Sequence, residues 1–253
     1  MILERERRGR VEILTMNRPE ARNAMSPELS LAMEHALDDI EADRDVWAVV
    51  LTGAGSVFCA GADLKVVAAG GGADIESPKG GFGGLARRNF PKPVIAAVQG
   101  PAVAGGFELV LACDLVVAAE SASFGLSESK RGLLAAGGGP IRLVKRIPLA
   151  TVLEIVMTGD AMPAARAYEL GLVNRVVPAD RVVEEAVALA DRINQNSPAA
   201  VRAGRRLVLE SAELSEADGW ELTRAISQDV FRSGDAIEGA TAFAEKRKPV
   251  WKS

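Results

Sequence analysis

Twenty-one consecutive residues, Pro93 to Cys113 (PVIAAVQGPAVAGGFELVLAC), carry a single charge, Glu108. About 20 apolar residues also suffice to span a bilayer. Here, however, Pro93, Gly100, Pro101, Gly105 and Gly106 break the run, and no helix continues unbroken through a Gly-Pro pair. The run therefore reads as a buried strand (Val94 to Val98), a turn and a buried helix (Gly105 to Cys113). Glu108 sits three residues after Gly105, in surroundings that cannot solvate it. A carboxylate so placed is costly unless it is partnered, shifted in pKa or working; the plainer alternative is a core-edge side chain whose head reaches water. A second acid, Glu128, follows 20 residues later in another glycine-punctuated segment, SFGLSESKRG. Two carboxylates beside paired glycines suit proton movement at a carbonyl substrate.

Around this run, short β-rich stretches alternate with helical patterns. Val11 to Met16 reads as a strand. Ser26 to Ala42 reads as a helix, with Ser26 as N-cap, Pro27 in the first turn, and Leu29, Ala32, Met33, Ala36, Leu37 and Ile40 on one face. Val46 to Thr52 and Leu115 to Ala119 are strands of the fully buried kind. The alternation predicts an α/β core with several parallel strands. From about Val182 the pattern becomes purely helical, interrupted at Asn196-Ser197-Pro198 and Gly234-Asp235. This divides the chain into a core, 1–195, carrying the active site, and a helical appendage, 196–253, suited to oligomer contacts. Along the helical block after Val182, Ile193, Val201, Leu207, Val208, Trp220 and Val230-Phe231 supply the apolar groups. Ala68 to Gly84 holds seven glycines in 17 residues and reads as a mobile surface loop, either a lid or a tolerated insertion.

Several chemistries are set aside by what the chain contains. At 253 residues and 48% hydrophobic content it can bury one large core; its net charge of −4 and pI near 5.3 favour neither nucleic acid nor an anionic membrane surface. Cys59 and Cys113 are not in CxxC spacing, so neither a disulfide framework nor a zinc site is expected. Met1 to Arg10 is charged and lacks an apolar stretch, which points to a cytoplasmic protein. Gly53-Ala54-Gly55 begins a dinucleotide fingerprint, but Phe58 stands where its third glycine belongs, and no GxxxxGK[ST] string exists. The one histidine, His35, lies mid-helix beside Glu34 and reads as a surface residue, so a Ser-His-Asp triad is not expected. Acid–base work falls to carboxylates, lysines or Tyr168.

A set of short strings, in order and at fixed spacing, resembles the enoyl-CoA hydratase/isomerase (crotonase) superfamily along essentially the whole chain. The strings are Met16-Asn17-Arg18-Pro19 with Asn23-Ala24, Leu51-Thr52-Gly53, Phe58 to Leu64 (FCAGADL), and Lys92 to Val98 (KPVIAAV). They continue with Ala104 to Leu109 (AGGFEL), Ser123-Phe124-Gly125, Gly171-Leu172-Val173 and Ala242 to Arg247 (AFAEKR). The resemblance implies a spiral of ββα units and a C-terminal helical region for trimerisation, as a homotrimer or a hexamer built as a dimer of trimers. It implies an acyl-CoA or enoyl-CoA substrate, with coenzyme A as part of the substrate, no separate cofactor and no metal.

By the same resemblance, the backbone N–H groups of Ala62 and Gly105 form an oxyanion hole for the thioester enolate. A preorganised donor of this kind is commonly worth about 3–4 kcal/mol, and Gly105, opening a helix, adds the helix dipole. Glu108 and Glu128 match both acids of the hydratases. The reaction implied is syn addition of water to a trans-2-enoyl-CoA, Glu108 activating the water for Cβ and Glu128 delivering a proton to Cα. Arg22, Ala24, Ala60 and Leu64 match the CoA path, and Lys246 with Arg247 could reach a neighbouring subunit's CoA phosphates; a solvated loop arginine and a basic helix end account for these cations as well. Ser127-Glu128 replaces the family's frequent Pro-Glu and, with Gly139-Pro140, resembles carnitinyl-CoA dehydratases and sterol side-chain hydratases. A Δ3,Δ2-enoyl-CoA isomerase and a non-enzymatic acyl-CoA-binding scaffold remain the alternatives.

Overall fold

The computed structural model describes residues 1–252. Its main sheet has six strands, in the order Leu3–Arg8, Val11–Met16, Ala48–Gly53, Val94–Val98, Leu115–Ala119 and Arg175–Val177. The first two form an antiparallel hairpin, and every later neighbour is parallel. Val94–Val98 lies in the middle with all five side chains buried. This accounts for its continuous apolar composition: a strand covered on both faces has no polar side.

Three successive segments repeat one pattern. Each supplies a strand to the main sheet, then a short strand or bridge outside that sheet, then a helix. The segments are Ala48–Gly53, Cys59 and Leu64–Ala68; Val94–Val98, Ala102–Val103 and Gly105–Ala112; and Leu115–Ala119, Ser123–Gly125 and Gly139–Leu143. The middle pieces run side by side: Cys59 bridges Ala102, Ala102–Val103 pairs in parallel with Phe124–Gly125, and Ser123–Phe124 pairs with Met162–Pro163. This is the expected spiral of ββα units.

The helix Pro27–Ala42 begins where Ser26 Oγ accepts the Leu29 N–H at 3.4 Å and Pro27 occupies the first turn. It buries Leu29, Met33, Leu37 and Ile40, fully buried aliphatic side chains contributing about 1.5–3 kcal/mol each. Ala32 is only partly covered, while Glu34, on the same side, is buried. The helix Val182–Asn194 lies across four strands of the main sheet, so it belongs to the core rather than to the helical end. Ile193 packs on that core and is not a free apolar group. The helices Pro198–Ser211, Glu216–Arg232 and Asp235–Ala244 pack mainly on one another.

Ala68–Gly84 differs from expectation. It is built of a short turn at Gly72–Ile75 and a hairpin, Glu76–Ser77 against Gly81–Phe82. Ile75, Ser77 and every residue from Gly80 to Gly84 are buried. Only its first residues and the Pro78-Lys79 tip resemble a surface loop.

Candidate active site

The two acids are brought together by the smallest strands in the molecule. Val103 is paired with Gly125 in parallel register; Glu108 follows one strand inside a helix, and Glu128 follows the other in a single turn, Glu128–Arg131. A separation of 20 residues thus becomes a shared wall. Gly139 touches both sides: a Cβ on it would lie 3.0 Å from Glu108 Cγ and 2.9 Å from Leu126 Cδ2.

Their environments differ. Glu108 is 3% exposed, and its Oε1 accepts the Gly139 N–H at 2.8 Å. Burial raises its pKa, opposed by hydrogen bonds from Gly139 and Gly137 and by the Arg142 guanidinium. Glu128 is half-buried, and no hydrogen-bond partner reaches its Oε2. Burial, reinforced by the Glu108 charge, pushes its pKa up to about 7. Donors thus offset part of the cost of a charge on Glu108, whereas none meets Glu128 Oε2, which holds its proton to about pH 7.

The two amides expected to hold an oxyanion also come together. The strand before Gly105 runs beside Cys59, with the Val103 N–H donating to Cys59 O at 3.1 Å. A Cβ on Gly61 would lie 3.0 Å from Gly105 N. Among the described residues, neither the Ala62 nor the Gly105 N–H has an acceptor. Between strand and helix the chain turns at Ala104 with φ 51° and ψ −131°. A side-chain-bearing residue there costs on the order of 1–3 kcal/mol, strain of the kind concentrated at functional sites. That turn seats the Ala104 N–H on Gly125 O at 2.8 Å and directs Gly105 away from the strand. Nothing in the sequence marks Ala104 as strained.

Arg22, Ala24, Ala60 and Leu64 gather on one edge of this site. The Met25 N–H donates to Gly61 O at 2.7 Å, the Asp63 N–H to Met25 O at 2.9 Å and the Ala60 N–H to Arg22 O at 3.1 Å. Arg18 Nη1 holds Ala24 O at 2.6 Å, and its Nη2 pairs with Asp63 at 3.1 Å, while the Asp63 carboxylate caps the Leu64–Ala68 helix. Arg22 and Leu64 are exposed. The structure does not bring Lys246 to these residues; it is exposed near the C-terminus, its N–H bonded to Phe243 O.

Three supporting residues escaped the sequence reading. Asn23, fully buried, accepts the Arg18 N–H and donates to Ala54 O and Val57 O, which fixes Arg22 and Asn23 at φ 53° and 54°. Arg142 joins Gly137 O to Ala86 O behind Glu108. Glu34 receives Ser77 Oγ at 2.5 Å and the Lys79 and Gly80 N–H groups at 2.7 Å each. For Arg142 the available signal was a charge following an uncharged glycine-rich stretch, Gly132 to Ile141, much like the signal that exposed Glu108; Asn23 and Glu34 carry no such mark in the sequence. Among the described residues no cluster of His, Cys, Asp or Glu could hold a metal, and no helix is long and apolar enough to cross a membrane. A cavity of about 460 Å³ lined by Arg10, Trp47, Lys92, Arg202 and Trp251 lies at the other end of the parallel strands and contains none of the site residues.

Comparison with known proteins matches residues 6–253 to the enoyl-CoA hydratase/isomerase family. The chain is 44% identical over 251 residues to enoyl-CoA hydratase EchA19 of Mycobacterium tuberculosis, covering 96% of this chain and 94% of that one. It is 41% identical over 251 residues to a carnitinyl-CoA dehydratase of Proteus mirabilis, covering 97% and 96%. A crystal structure of an enoyl-CoA hydratase from M. tuberculosis superposes with a TM-score of 0.95 at 45% identity, over 99% of this chain and 98% of that one.

Proposed function

The chain belongs to the enoyl-CoA hydratase/isomerase family, and from that premise we propose that it adds water reversibly across the double bond of a trans-2-enoyl-CoA. The carrying observation is the unequal carboxylate pair: Glu128, pushed up to about 7 with one oxygen unpartnered, facing Glu108, whose charge is met by the Gly139 N–H. Hydration asks for that inequality. Glu108 accepts a proton from water as its oxygen bonds Cβ, and Glu128 gives its proton to Cα. Both groups are restored by exchange with solvent. The negative charge that develops on the thioester oxygen lies against the Ala62 and Gly105 N–H groups, which have no other acceptor.

Arg22, Ala24, Ala60 and Leu64 line the approach of the CoA moiety, with Arg22 placed for a phosphate. Lys246 serves that role only from a neighbouring subunit. Residues 196–253 carry the contacts of a trimer, or of a hexamer built from two. The relatives named hydratase and dehydratase are named for two directions of one reaction, so both support the chemistry while leaving the acyl group open. The test is the loss of enoyl-thioester absorbance with crotonyl-CoA; absence of turnover with crotonyl, longer and polar enoyl-CoAs alike would overturn the reading.

A further inference from the structure

The Phe82 ring occupies the space beside Gly105. A Cβ added to Gly105 would lie 2.6 Å from Phe82 Cε1 and 3.0 Å from Cε2. Gly105 therefore has no room for a side chain because Phe82 is there, which sets that ring beside the residue whose N–H has no acceptor. The ring is 8% exposed and is carried by the glycine-rich hairpin, which is anchored at both ends. At its start, Glu34 takes three hydrogen bonds from Ser77, Lys79 and Gly80; beyond its end, Arg142 holds Ala86 O. Gly83 and Gly84 pack so tightly on Leu109 and the Glu34 backbone that neither has space for a Cβ. A hairpin tied in this way is a fixed wall.

We propose that Phe82 is a specificity-determining residue, positioned by Glu34, that excludes enoyl thioesters carrying a substituent on the carbon next to the carbonyl. This rests on the hydratase reading above. Any group on that carbon lies closest to the atoms flanking the oxyanion donors, and the Phe82 ring is what those atoms face on the Gly105 side. One methyl group in an apolar pocket discriminates by roughly 10- to 200-fold.

The test compares kcat/KM for crotonyl-CoA and 2-methylcrotonyl-CoA. Phe82→Ala should raise the 2-methylcrotonyl to crotonyl ratio by about tenfold or more. Glu34→Gln should move the ratio in the same direction by a smaller factor, which a merely stabilising contact would not do. Gly105→Ala should weaken acyl-CoA binding, and adding Phe82→Ala should restore it, because the two sites compete for one volume. An unchanged ratio in Phe82→Ala, with the crotonyl rate retained, overturns the proposal. If the wild type hydrates no enoyl-CoA, the hydratase reading fails on its own. The wall is then read from binding of butyryl-CoA and 2-methylbutyryl-CoA, where equal discrimination by wild type and Phe82→Ala overturns it.

Discussion

At the residue scale, Glu128 holds its proton to a higher pH than an ordinary carboxyl, and pH reads this directly. Glu128 titrates at about 7, raised from an ordinary 4.5 first by burial and then by the Glu108 charge. In the hydration direction it has to be protonated, so kcat/KM for crotonyl-CoA should fall tenfold per pH unit well above 7. A flat profile from pH 6 to 9 would remove Glu128 as the acid. The linkage to stability has a definite sign. A carboxyl whose folded pKa lies above its unfolded value favours folding fully below about pH 4.5 and loses that contribution as pH rises through about 7. Glu128→Gln should therefore raise Tm at pH 8 and leave it nearly unchanged at pH 4; the reverse ordering would contradict the assigned shift. Gly105 separates donor from space. Gly105→Ala keeps the N–H and meets Phe82, whereas Gly105→Pro meets Phe82 and lacks the donor as well. Proline is tolerated in the first turn of a helix, so the folded Pro variant should be slower than the Ala variant by about 100- to 1,000-fold, the range for one oxyanion donor. Equal rates in the two would place the oxyanion hole elsewhere.

At the element scale, site geometry depends on short segments locked by side chains. Asn23 alone ties Arg18, Ala54 and Val57 together from a fully buried position. Asn23→Ala leaves the Arg18 N–H and Ala54 O without that partner, and each buried group so stranded costs about 1–3 kcal/mol. Urea unfolding should show a loss of at least about 2 kcal/mol on this basis; a change below 0.5 kcal/mol, within the ordinary range for surface substitutions, would mean that water replaces the amide freely. Much of this scale was legible in sequence. The strands Val11–Met16, Val94–Val98 and Leu115–Ala119 and the Ser26-capped helix follow from periodicity and capping alone. The register of Ala102–Val103 on Phe124–Gly125, which places Glu108 beside Glu128, did not. Strands of two and three residues have no period to detect. The glycine-rich segment was misread for a physical reason: glycine serves freedom and crowding equally well. Here crowding governs, since a Cβ on Gly80 would strike the Gly84 backbone and one on Gly83 would strike Leu109.

At the scale of the whole molecule, the helical end leaves large apolar groups in water. Val208 is 70% exposed, Trp220 59%, Phe231 69% and Phe243 87%. Patches of this kind mark interfaces, so light scattering at micromolar concentration should give a trimeric or hexameric mass, and a monomeric mass would contradict the assembly reading. The sequence pointed to Val208, Trp220 and Phe231 but overreached at Ile193, because a helix that closes the core and a helix that meets a partner share one apolar periodicity.

The central claim is that Glu108 and Glu128 divide the two proton transfers of hydration, and the most direct measurement is crotonyl-CoA turnover by the Glu108→Gln and Glu128→Gln variants beside their affinity for a saturated acyl-CoA. Each variant should lose about 100-fold or more in kcat, the usual scale of general acid–base catalysis, with affinity nearly unchanged. Near-wild-type turnover in either variant, with the fold intact, would contradict the claim for that residue.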